Sequence, residues 1–153
     1  MKIKVGGRRF SLVFNRFVIK IPIPLWGRFK SGLLSNKIES EEFNNSITST
    51  YLGRVYGSYF LNMFLIMERY YHVGDLPKLT CAYNYYSMSC KFNEFDGIRN
   101  FGVDKLGFIH VFDYGDTTII KKGRWNNNMR KLILKLNLND DIIKSDWKNE
   151  RGE

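Results

Sequence analysis

Polar and apolar residues alternate from the start of the chain: Lys2-Ile3-Lys4-Val5, then Gly6-Gly7, then a mainly apolar stretch from Arg8 to Phe14. A period of two marks a strand, and Gly-Gly between two such runs predicts a two-residue hairpin turn. Asn15-Arg16 predicts a second tight turn, because Asn tolerates the turn backbone. Phe17-Val18-Ile19-Lys20-Ile21 follows as a third strand, ended by Pro22 and Pro24.

The pattern then changes. Residues 35–48 read as a helix, with Ser35 or Asn36 as the cap and Glu39, Glu41 and Glu42 in the early turns, where the helix dipole favours carboxylates. The aromatic and aliphatic stretch Tyr51–Tyr71 is broken by Gly53 and Gly57-Ser58 and predicts two strands, about 53–59 and 63–69. Leu79, Tyr83, Tyr86 and Cys90 recur at helical spacing within a second helix over Leu76–Phe92. Residues 103–112 predict a hairpin with Asp104-Lys105-Leu106-Gly107 at its turn, and residues 126–149 are helical again, divided near Asn139. Strands and helices segregated in this way predict an α+β fold.

Composition narrows the class. At 153 residues, 44% hydrophobic and 25% charged, the chain is one domain able to bury a core without staples. Two cysteines and two histidines make a Cys/His structural zinc site a poor fit. No uncharged apolar run approaches the ~20 residues of a membrane span, and no signal-peptide apolar region follows Met1. The expectation is a cytoplasmic protein in a reducing setting.

The net charge of +9 is unevenly spread: the first thirty residues hold eight cations (Lys2, Lys4, Arg8, Arg9, Arg16, Lys20, Arg28 and Lys30) and no acid. Such an end either keeps the protein soluble or attracts a polyanion, whether nucleotide phosphate, nucleic acid or an acidic protein partner.

The residues that carry chemistry come in a definite order. Val18-Ile19-Lys20 lies on the third strand, Glu39 on the helix after it, Ile66-Met67-Glu68 at the end of the fifth strand, and Asn100 one hairpin before Asp113-Tyr114-Gly115. This series resembles the protein kinase-like superfamily, in which a strand lysine pairs with a helix glutamate and a catalytic-loop Asn precedes D-F-G. Tyr in place of Phe looks like the small bacterial and phage members. The resemblance covers about residues 8–116.

The resemblance implies a five-stranded antiparallel amino-terminal lobe with one helix (residues 1–70) and a reduced, mostly helical carboxy-terminal lobe (71–153). It implies ATP and Mg²⁺ as ligands. Lys20 would hold the phosphates and Glu39 would orient it. Met67, Glu68 and Arg69 would offer backbone groups to the adenine, and Asn100 and Asp113 oxygen atoms to the metal.

Three departures qualify the activity. No glycine-rich loop precedes Lys20. The position five before Asn100, which holds an Asp in kinases, is Phe95, and Asp96 is the nearest substitute for the catalytic base. The stretch after Gly115 is too short for a full peptide-binding lobe. An active phosphotransferase and a pseudokinase-like module that binds or inhibits a protein partner therefore both remain open. A nucleic-acid-binding domain is a third, weaker reading.

Overall fold

Three antiparallel strands open the chain as the alternation predicts: β1 (Lys2–Val5), β2 (Arg9–Val13) and β3 (Phe17–Pro22). Their first turn differs from the expected Gly6-Gly7 centre. The Gly6 N–H donates to the Arg9 carbonyl at 2.9 Å, so Gly7 and Arg8 are the central pair. The computed structural model describes residues 1–44, 52–89, 98–112, 114 and 124–137.

Helix α1 spans Arg28–Asn44 and corrects the predicted 35–48. It begins earlier because the chain leaves β3 through Pro22-Ile23-Pro24 and turns at Gly27, whose φ of +83° suits glycine. Ser35 and Asn36 are therefore buried in mid-helix, not at its cap. Glu39, Glu41 and Glu42 fall in the carboxy-terminal half, where the dipole does not favour them. Hydrophobic periodicity could not have found this start, since the buried residues of α1 are Gly32, Ser35, Asn36 and Glu39.

Strands β4 (Val55–Tyr59) and β5 (Phe64–Glu68) match the predicted pair and complete a five-stranded antiparallel sheet in the order β1-β2-β3-β5-β4. Helix α1 packs on β3 and β4. At Gly32 the approach is so close that an added Cβ would lie 2.8 Å from the Arg8 carbonyl oxygen and from the Pro22 Cβ.

The chain divides into two compact units, the first taking in Met1–Arg69 together with Tyr114, whose hydroxyl donates to the Gly53 carbonyl at 3.0 Å. The second unit starts at Tyr70. Its β6 (Tyr71–His72), β7 (Phe101–Val103) and β8 (Ile109–Val111) form a three-stranded antiparallel sheet, so the expected hairpin gains a third strand. Helix α2 runs from Pro77 to Ser89, with proline at the first position, where no N–H is needed. Leu79, Ala82 and Tyr83 are its buried residues, and Tyr83 meets Phe101 edge to face. Helix α3 (Arg124–Asn137) buries Leu132, Ile133 and Leu136 and packs against α2 and β8. The fold class is α+β. Among the described residues no helix is long and apolar enough to cross a membrane.

Candidate functional site

Residues directly opposite each other in an antiparallel pair share a sheet face. Ser11 faces Lys20, Arg9 faces Pro22, Lys20 faces Leu65, and Val18 faces Met67. Arg9, Lys20, Leu65 and Met67 therefore project from one side, where Lys20, Leu65 and Met67 are all buried. A lysine on a buried strand face must find a partner, because an isolated ammonium there is costly.

Its partner is Glu39. The Lys20 Nζ donates to Oε2 at 2.8 Å and to Oε1 at 3.2 Å, with the carboxylate fully buried. The expected pair is thus in salt-bridge geometry, whereas Glu41 on the same helix pairs with Lys37 on the exposed side of α1 at 3.6 Å. Asn36, one helical turn before Glu39, is also fully buried. Its Nδ2 donates to the Lys20 carbonyl at 3.3 Å and to the Asn62 carbonyl at 2.7 Å.

The third member of this cluster is Arg9. One guanidinium nitrogen donates to Glu39 Oε1 at 2.6 Å and the other to Asn36 Oδ1 at 3.1 Å. In the sequence Arg9 is one of several cations of a basic end, with no signal for this role alone. The signal was joint: Asn36 and Glu39 stand three apart on one helix face, and Arg9 shares strand parity with Ser11 opposite Lys20. Arg8 and Arg16 are exposed.

Met67 is buried in the sheet, and Glu68 ends β5. The amide of Glu68 donates to the Arg54 carbonyl at 2.8 Å and that of Arg69 to the Arg16 carbonyl at 3.2 Å. The Glu68 and Arg69 N–H groups, two of the backbone groups expected to face an adenine, are therefore engaged within the first unit.

Asn100 closes a single 3₁₀ turn, Ile98–Asn100, directly before β7 in the second unit. Its carbonyl accepts from the Phe112 N–H at 2.9 Å, which fixes the residue at the base of the β7–β8 pair. Asp96 and Asp113 lie outside the described residues, as do Phe95 and Cys90. Among the described residues no three His, Cys, Asp or Glu side chains cluster to share a metal ion.

The β7–β8 turn carries its own polar unit. Asp104 Oδ1 accepts from the Leu106 and Phe108 amides at 2.8 and 2.9 Å, and Nε2–H of His110 donates to Oδ2 at 3.2 Å. Burial pulls the Asp104 carboxyl upward, but the His110 contact and the two amides outweigh it and hold the carboxyl below the ordinary aspartate range. His110 sits between the buried Ile109 and Val111 and so projects from the other face of β8. Among the described residues the buried Nδ1 of His110 has no hydrogen-bond partner. No family model and no curated protein matches the chain.

Proposed function

We propose that this chain is a kinase-like protein that binds ATP with Mg²⁺ and transfers the γ-phosphoryl group to an acceptor hydroxyl. The observation that carries this reading is the buried Lys20–Glu39 pair at 2.8 Å, on the face of a five-stranded sheet covered by the helix between β3 and β4. A scaffold could fill this position with an apolar side chain at no loss, since buried ion pairs rarely stabilise more than a hydrophobic replacement does. An ammonium held by a carboxylate is what a polyphosphate needs for a fixed pose.

The order Lys20, Glu39, Asn100, Asp113 supports the same reading. Lys20 binds the phosphates. The Asn100 amide oxygen and the Asp113 carboxylate are hard oxygen donors of the kind Mg²⁺ takes, and the ion when bound neutralises phosphate charge. In the transfer the acceptor oxygen bonds to the γ-phosphorus as the bond to the β–γ bridging oxygen breaks. ADP leaves, and the acceptor proton passes to Asp96.

A second reading has its own observation. The β1–β2 turn closes around Gly7 and Arg8 alone, too tight to drape over phosphates, and Phe95 stands at the usual base position. These favour a pseudokinase-like module that binds a protein partner. Thermal denaturation with and without Mg-ATP tests the nucleotide reading: ligand at a hundred times its Kd raises stability by about 2.7 kcal/mol. An unchanged melting temperature at millimolar Mg-ATP sends the proposal to the binding module.

A further inference from the structure

We infer that Arg9 is a positioning residue that presets Lys20 by holding Glu39. Its consequence for nucleotide rests on the reading above, whereas the positioning itself rests only on the contacts. Glu39 ends in a carboxylate on a flexible stem, so a lone ammonium could draw it into several poses. Arg9 removes that freedom. Its planar fork reaches Glu39 Oε1 at 2.6 Å with one nitrogen and Asn36 Oδ1 at 3.1 Å with the other, spanning one turn of α1. A fork with two fixed acceptors sets an orientation that a point charge cannot.

The arrangement closes on itself. Asn36 donates to the Lys20 carbonyl while Glu39 accepts from the Lys20 ammonium, so the lysine is tied at its backbone and at its tip to the two residues that Arg9 bridges. Arg9 comes from β2 and Lys20 from the neighbouring β3, and both project from the face that α1 covers. The cluster is shielded: the side chains of Arg9, Lys20 and Glu39 are 11%, 7% and 0% exposed. Shielding weakens competition from water and makes each charge-assisted hydrogen bond count for more. The ammonium thus waits in one place before any phosphate arrives, and the ordering cost is met by the fold and not by the ligand.

The test reads Lys20 directly, through mass-spectrometric acylation of the full chain by an amine-reactive ester. Exposed Lys2 and Lys4 serve as internal standards, and amide exchange in β3 and β5 is followed in parallel. Arg9→Met should raise Lys20 labelling about tenfold relative to the standards, the equivalent of losing one charge-assisted hydrogen bond, with exchange in both strands unchanged. Arg9→Lys, which keeps the cation but loses the fork, should restore only a minor part of the protection. Should Arg9→Met not fold, Arg9→Gln, which keeps a donor for Asn36 without the charge, is read in the same way.

In parallel, the Kd for Mg-ATP should rise about tenfold in Arg9→Met and recover only in small part in Arg9→Lys. Unchanged Lys20 labelling in Arg9→Met overturns the proposal. So does a rise that comes only with lost exchange protection across the sheet, since Arg9 is then merely structural. A wild-type chain with no affinity for Mg-ATP removes the nucleotide reading and leaves the labelling ratio to decide the positioning role.

Discussion

The Asn36 amide on α1 donates to the Asn62 carbonyl in the β4–β5 turn at 2.7 Å. That turn is held in a costly shape: Phe60, Leu61 and Asn62 have φ of 50°, 55° and 69°, three successive left-handed residues without a glycine. Each ordinary residue there costs about 1–2 kcal/mol, and Asn less. Ser58 Oγ adds a hydrogen bond to Asn62 Oδ1 at 2.9 Å. Since Leu61 is 91% exposed, its side chain contributes little packing. Leu61→Asn should therefore stabilise the protein by about 0.5–1 kcal/mol, seen as a melting temperature a few degrees higher.

Asn36→Ala should act in the opposite direction. It strips the Lys20 and Asn62 carbonyls and the Arg9 guanidinium of a shared partner inside the fold. Unsatisfied buried groups of this kind cost about 1–3 kcal/mol. Chemical denaturation should show the loss as a lower midpoint with an unchanged slope.

Much of the first unit was legible in the sequence. The first strands announced themselves by alternation and by Asn, Gly and Pro at their ends, the last two by an aromatic and aliphatic stretch broken at glycines, and Lys20 and Glu39 by residue type and order. Helix α1 was misplaced because its inner face is made of Gly32, Ser35, Asn36 and Glu39. It packs by close approach and hydrogen bonding, not by an apolar stripe. Arg9 was read as one cation among eight because its partners lie 27 and 30 residues away. Only the strand register brings them together.

Gly32 sets the distance between α1 and the sheet. Alanine is favoured over glycine in a helix interior by about 1 kcal/mol, but here its Cβ meets backbone, which cannot rotate away. Overpacking of this kind costs about 1–3 kcal/mol. Gly32→Ala should lower the melting temperature and increase Lys20 acylation, because the helix that carries Glu39 must retreat from β3.

Asp104 gives the second unit an acid-sensitive turn. Its carboxyl is held below the ordinary aspartate value near ~3.9, so the folded state favours the ionised form. That contribution is present in full above the ordinary value and is lost as pH falls through the lowered folded value. Asp104→Asn should reduce stability at neutral pH by about 1–2 kcal/mol and flatten the acid limb of a stability–pH curve. Equal acid limbs for variant and wild type would remove Asp104 from the account.

Asp113→Ala and Asp96→Ala separate an enzyme from a binding module. If the chain transfers phosphate, Asp113→Ala should abolish Mg²⁺-dependent turnover. Asp96→Ala should slow it about 10²–10⁴-fold, as expected for loss of a general base. Wild type and Asp113→Ala with equal turnover, including none, would assign the chain to the pseudokinase-like reading.

In the proposed function Lys20, set by Glu39, takes the phosphates of a nucleotide. Calorimetric titration of wild type and Lys20→Met with Mg-ATP and with adenosine tests it most directly, because only ATP carries the groups that Lys20 would hold. Lys20→Met should weaken Mg-ATP binding at least about tenfold, the loss of one charge-assisted contact, while adenosine binding is unchanged. Equal affinity of the two proteins for Mg-ATP would contradict it.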